Sequence, residues 1–347
     1  MRVVKWVAGV VAVLLVCGGG VAWWQREPLR VWWAVRGLKQ AGEGGYEAWV
    51  KRIVDLGEPT IGPLVTCLAE DAEGAESVAV VALDALARAG HAEGVVDQLV
   101  KPFPRLQGKN GRALLSGMAK WDDESRSHCA RLLAEVEWEP ESPAVEPALD
   151  LAMMMPSDRV RELTRVGLRS SSAAVRLKAV RLCLQPGVEM LDQVVALLRD
   201  PSAEVRRAAT LAVGPADQVV REDVLLAGLH DSDEEVRKLT EAALRGRGLR
   251  PEHLELGRLL THPTPTTRLQ VLDRIRDMLE GGQGDLDPGA WLRRLSHDQS
   301  PAVRAAALRM MSQQGVIDLS DRVDQMARND PSPTVTQLAR YYQGLKR

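Results

Sequence analysis

The chain has 347 residues, 45 Lys+Arg against 47 Asp+Glu, a formal net charge of −2 and only 4% aromatic residues. That balance does not point to a dedicated polyanion binder, and a hydrophobic content of 45% excludes a wholly disordered chain. Four cysteines, at 17, 67, 129 and 183, are too few and too scattered for a disulfide framework or a paired-cysteine zinc site.

In chain order, residues 1–5 are a short tail carrying Arg2 and Lys5. Residues 6–24 (WVAGVVAVLLVCGGGVAWW) form an uncharged run of 19. That is close to the roughly 20 residues a helix needs to cross the hydrocarbon core. Of nine tryptophans, five fall within the first 33 residues. Trp6 precedes the run, Trp23 and Trp24 end it, and Trp32 and Trp33 follow, positions suited to membrane interfaces. The pattern predicts a single-pass transmembrane signal anchor at 6–24. Over 25–44 it predicts a juxtamembrane linker with an interfacial helix. Two rival readings of the run stay open. Gly20-Val21-Ala22 allows a signal peptide cut after Ala22. Cys17 allows a lipoprotein, although Val16 before it is large. Charge does not decide orientation, because Arg2 and Lys5 face Arg26, Arg30, Arg36 and Lys39 across the run. The short tail favours a bacterial inner-membrane protein with its bulk outside the cytoplasm.

The remainder, 45–347, repeats one unit, most plainly over 140–345. Asp200-Pro-Ser-Ala-Glu-Val205-Arg206 recurs as Asp231…Val236-Arg237, Asp298…Val303-Arg304 and Asp330…Val335. Weaker copies end in Val175-Arg176, Thr267-Arg268 and Val145. The anchors at 145, 175, 205, 236, 267, 303 and 335 are 30, 30, 31, 31, 36 and 32 residues apart. Val78 fits the same template, and a degenerate copy near Arg112 fills the gap to 145. Four residues after the anchors stand Leu149, Ala179, Ala209, Thr240, Val271, Ala307 and Ala339. Eight after stand Met153, Cys183, Val213, Leu244, Ile275, Met311 and Gln343. That i, i+4, i+8 line is one stripe of a helix. Asp followed by Pro or Ser starts it. A second apolar stretch follows in each unit, such as Met190–Leu198, Val219–Leu229 or Leu319–Met326. Each unit therefore reads as two antiparallel helices, about nine to ten hairpins in all. Stacked hairpins share one continuous core.

These turns, Val-Arg pairs and small apolar columns resemble HEAT repeats, and the resemblance covers roughly 45–345. It implies an all-α, α-α superhelical fold preceded by the one transmembrane helix. It also implies ladders between adjacent repeats, from Asp200, Asp231, Asp298 and Asp330 with Arg176, Arg206, Arg237, Arg268 and Arg304. Glu146 and Thr336 stand where Arg is expected, and Gln343 breaks the apolar column as a solvent-facing cap does.

No signature of catalysis stands out. The six histidines form no HExxH, HxH or His-Glu pair, and no phosphate-binding or hydrolase motif occurs. Asp285 and Asp287 read as a solvated loop. Cys67, Cys129 and Cys183 read as buried hydrophobes, and Met153 as core beside Met154 and Met155. The basic stretch Arg159–Arg181 invites a nucleic-acid reading, but Asp158 and Glu162 interleave. The acidic stretch Glu135–Ser142 reads as a solvated loop displaying Trp138. The expectation is a non-catalytic scaffold without cofactor or evident small-molecule substrate, held at a membrane through 6–24 and binding a protein partner. The alternatives are a nucleic-acid-binding protein or an enzyme of the same fold with an unrecognised pocket.

Overall fold

Apolar residues at three- and four-residue spacing make the described segments helical, and Gly, Pro and Asp cut them into short elements. The computed structural model describes residues 26–41, 45–70, 78–281, 287–313 and 319–345. The expected anchor at 6–24, with Trp6, Trp23, Trp24 and Cys17, lies outside them, as does Asp285. Among the described residues there is no strand, and no helix is long and apolar enough to cross a membrane. The chain divides into two units, residues 1–193 and 194–347.

In the first unit the described chain begins with α1 (Arg26–Gln40), α2 (Tyr46–Leu56) and α3 (Ile61–Glu70). It continues through α4 (Val78–Leu86), α5 (Ala92–Val100), α6 (Lys109–Met118), α7 (Asp123–Ser127) and α8 (Cys129–Glu135). It ends with α9 (Val145–Met154), α10 (Arg161–Leu168) and α11 (Ala173–Cys183). Helices α2, α4, α6, α9 and α11 pack in series as one layer; α3, α5, α8 and α10 form the other. The gap between the anchors at 78 and 145 is thus filled by α6 with α7 and α8.

The helix expected within 25–44 is α1, which buries Val31, Ala34, Val35 and Leu38 and packs on α2, α3 and α4. Those four positions are a regular amphipathic stripe, which the adjacent Trp32-Trp33 disguises in the sequence. Each buried Val or Leu contributes about 1.5–3 kcal/mol. Gly37 permits the fit: a Cβ there would meet the Trp49 ring of α2 at 2.5 Å.

The second unit opens with a 3₁₀ stretch, Val195–Arg199, then α12 (Ala203–Val213) and α13 (Glu222–Leu226), which runs into a 3₁₀ turn, Ala227–His230. It continues with α14 (Glu234–Gly246), α15 (Pro251–Leu260) and α16 (Pro265–Gly281). Then come α17 (Pro288–Leu295), α18 (Pro301–Gln313), α19 (Ser320–Asn329) and α20 (Pro333–Leu345). The pairs α12/α14, α16/α18 and α18/α20 are packed neighbours. In both units the stripe points inward. Val145, Val205, Val303, Val335, Leu149, Ala179, Ala209, Val271, Ala307 and Ala339 are all fully buried. Cys183, Val213, Leu244, Ile275 and Met311 follow them into the core, whereas Met153 and Gln343 are half-buried.

Candidate interaction surface

The repeated turn builds a ridge from its own chemistry. The Oδ1 atoms of Asp200, Asp231, Asp298 and Asp330 accept the backbone N–H two residues on, at 2.8, 2.8, 2.7 and 2.8 Å. That bond closes the turn and launches the helix. From the first turn of that helix, an arginine Nη1 donates back to the carbonyl six residues earlier. The distances are 2.8 Å for Arg176 to Ser170, 2.9 Å for Arg206 to Asp200, and 2.7 Å for Arg237 to Asp231. They are 2.7 Å for Arg268 to His262 and 2.8 Å for Arg304 to Asp298.

The other guanidinium edge reaches the next repeat. Arg206 grips Asp231 with two bonds of 2.7 Å, Arg268 grips Asp298 at 2.7 and 2.8 Å, and Arg304 grips Asp330 at 2.9 Å twice. Such forked pairs are directional as well as strong. Arg207 makes a parallel fork to Asp233, which also caps α14 through Val236 N at 3.0 Å. Burial pushes the Asp231 carboxyl up, but the Arg206 bonds outweigh it and its pKa falls below the usual range. Arg207, then the Val236 amide, hold Asp233 far below that range.

The ladder breaks where the turn residue is His262. Its Nδ1 accepts from Thr264 N at 3.1 Å, imitating the aspartate toward the backbone, but it gives Arg237 no carboxylate. His262 instead meets the ring of His230 at 5.2 Å, and His230 Nε2 bonds the Arg258 carbonyl at 2.7 Å. At the departure noted in sequence, Thr336 Oγ1 takes the arginine's place on the Asp330 carbonyl at 3.2 Å. Glu146 instead pairs with Lys178 at 3.0 Å. The ridge charges are committed internally: Arg304 and Asp330 side chains are only 7% and 2% exposed.

Several other sequence candidates are absorbed too, while Arg159, Arg169 and Arg181 of the basic stretch stay exposed. In the basic stretch, Arg161 donates to the Val188 carbonyl at 2.9 Å, Arg165 pairs with Glu162, and Lys178 adds Asp150 at 2.7 Å. Arg176 is buried. Trp138 is not displayed: it is 6% exposed, meets Phe103 edge-on at 5.6 Å, and donates to the Leu133 carbonyl at 3.2 Å. The acidic loop around it is clasped by Gln107, which no sequence signal marked. Gln107 Nε2 donates to the Glu137 carbonyl at 2.6 Å, Glu139 N donates to its Oε1 at 3.2 Å, and Ser142 Oγ donates to its carbonyl at 2.7 Å. Cys67, Cys129 and Cys183 are buried, and burial pushes the thiols of Cys129 and Cys183 up to about 12. Asp287 caps α17 through Gly289 N at 2.8 Å. Among the described residues, no three His, Cys, Asp or Glu side chains gather as a metal site.

A further surface lies on the first unit. A groove of about 780 Å³ runs between α1 and α3, lined by Val31, Val35, Pro63 and Cys67, with Glu27, Lys39 and Glu70 at its rim. Lys39 Nζ pairs with Glu70 at 3.0 Å, a bond that raises the lysine pKa. Trp32 and Arg36 line the groove as well, and α1 leaves Leu29, Trp32 and Trp33 59%, 55% and 52% exposed. The Arg36 guanidinium sits 4.9 Å from the Trp32 ring centre, and Arg52 of α2 lies 5.0 Å from that of Trp33. Trp33 meets Trp49 at 4.8 Å.

No protein-family model matches the chain, and no curated protein matches it. Among solved structures it is similar to an engineered protein of the Northeast Structural Genomics Consortium, at 18% identity and TM-score 0.36, over 91% of this chain and 98% of that one. A second engineered protein of the same consortium is similar at 18% identity and TM-score 0.24, over 80% and 94%. A third structure, described as the structural basis of tubulin recruitment and assembly by microtubule polymerases with TOG domain arrays, is similar at 13% identity and TM-score 0.25, over 90% and 91%. Likenesses this distant carry no functional weight; the helical-repeat construction stands on the packed hairpins and their shared stripe.

Proposed function

We propose that this protein is a membrane-tethered, HEAT-type helical-repeat scaffold that binds a protein partner and performs no catalysis of its own. The observation that carries the reading is the spacing of the forked pairs. Arg206–Asp231, Arg268–Asp298 and Arg304–Asp330 join residues 25, 30 and 26 positions apart, each pair linking successive turns. These charges hold successive hairpins in register, as a scaffold requires. An array of this kind offers an extended surface whose outward residues vary without cost to the core. The uncharged run at 6–24 supports the tether, with the bulk outside the cytoplasm of a bacterial cell. Confinement at a membrane raises the effective concentration of partners there.

Two measurements test this. Reporter fusions at the C-terminus locate the bulk of the chain. In-membrane crosslinking followed by detergent extraction and purification is expected to recover one defined protein in stoichiometric amount. Recovery of the chain alone sinks the reading.

A further inference from the structure

We propose that the outward face of α1, with Arg52 beside it, is a binding surface for anionic lipid headgroups, and that it lays the first unit against the membrane. The proposal deepens the membrane-tether reading above and rests on it in part. Three observations carry it.

The first is composition by face. The inward side of α1 is Val31, Ala34, Val35 and Leu38; the outward side carries Leu29, Trp32 and Trp33 together with Arg30 and Arg36. Trp32 and Arg36 also border the groove, whose lining includes Glu27 and Glu70, and Glu70 is paired with Lys39. A helix with cations and tryptophans on its exposed side suits the headgroup layer, where indoles favour the boundary and arginines reach phosphates. The second is geometry. Arg36 over Trp32 and Arg52 over Trp33 hold cation and ring together, at 4.9 and 5.0 Å, so that one surface offers both. Trp33 is further fixed by Trp49, which Gly37 admits. The third is position: the 19-residue uncharged run ends at residue 24, two residues before α1 begins. A span placed there delivers α1 to the interface. Because α1 is packed on α2, α3 and α4 rather than hanging as a linker, whatever holds its outer face orients those helices too.

The test uses the full chain reconstituted into vesicles of phosphatidylcholine alone or with phosphatidylglycerol. A photoreactive benzoylphenylalanine replaces Trp33 in one preparation and exposed Leu211 in another. Lipid adducts are expected at 33 and not at 211, increasing with phosphatidylglycerol. The double change Arg30→Glu and Arg36→Glu is expected to lower the yield at 33 roughly fivefold or more in anionic vesicles, with near-ultraviolet dichroism unchanged. Comparing two lipid compositions on one protein keeps the test independent of any folding defect. Carbonate extraction, run in parallel, separates the two readings. A chain that resists carbonate but gives no more lipid adduct at 33 than at 211 overturns the headgroup surface and leaves the tether standing. A chain stripped by carbonate that still gives phosphatidylglycerol-dependent adducts overturns the tether and supports the surface. A protein adduct at 33, whether to another chain or a second copy, in place of lipid also overturns it.

Discussion

The two units are glued by different chemistry. The second uses forked Arg–Asp pairs between successive turns, and Trp291 is its one tryptophan. The first uses aromatic and amide clasps. Trp121 Nε1 donates to Asp84 at 2.8 Å, Trp138 packs on Phe103, and Gln107 pins the loop at 137–142. Ion pairs at a fixed column let a repeat be copied with little adjustment. Clasps made by single large side chains have to be fitted one at a time, and they tolerate less.

The largest effect is expected where a clasp is emptied. Trp138→Ala removes a buried indole and its hydrogen bond, a loss of about 3–5 kcal/mol. Urea unfolding followed by tryptophan fluorescence, which reports mainly on the first unit, is expected to shift accordingly. An unshifted transition breaks the contrast. Next comes the most buried rung. Arg304→Ala strands the Asp330 carboxylate and is expected to cost about 3–5 kcal/mol, whereas replacing both partners by apolar residues recovers most of it. A double-mutant cycle on chemical unfolding separates these outcomes. The exposed pair Arg293–Asp321, 47% and 64% exposed, is expected to show no measurable coupling.

Acid sharpens the comparison further. Asp231 and Asp233 have folded pKa values below their ordinary 3.8. Their stabilisation is therefore complete above the unfolded pKa and is lost as pH falls through the folded ones. Unfolding of the second unit is expected to become easier as pH falls below about 4. Circular dichroism with a second-unit label reads this directly. A smaller change repairs the ladder: His262→Asp gives Arg237 the missing carboxylate and is expected to stabilise by on the order of 1 kcal/mol. A destabilised variant would show that the His230–His262 contact matters more.

These differences explain what could be read from the letters. The stripe and the Asp and Arg columns were legible because each is dictated by a period that recurs. Gln107 was not, since one amide joins loops that share no period with it. Trp138 was misplaced because acidic neighbours suggest solvent, while the indole alone turns inward. A helix within 25–44 was legible, but its packing was not, because the outward tryptophans overshadow a four-residue inner stripe. The groove between α1 and α3 has no sequence signature, being set by how two helices diverge.

The two 3₁₀ stretches, Val195–Arg199 and Ala227–His230, flank a cavity of about 460 Å³ lined by Leu198, Thr210, Leu225 and Val236. Three-residue turns carry poorer hydrogen bonds than α-helix, and an unfilled space beside them forfeits contact. The outer layer is thinnest there, so the second unit has a compliant joint rather than uniform stiffness. Hydrogen exchange is expected to be fastest at those amides, ahead of α15 and α19. Arg206 and Asp231 also line that cavity, so the rung they form lies at the joint itself.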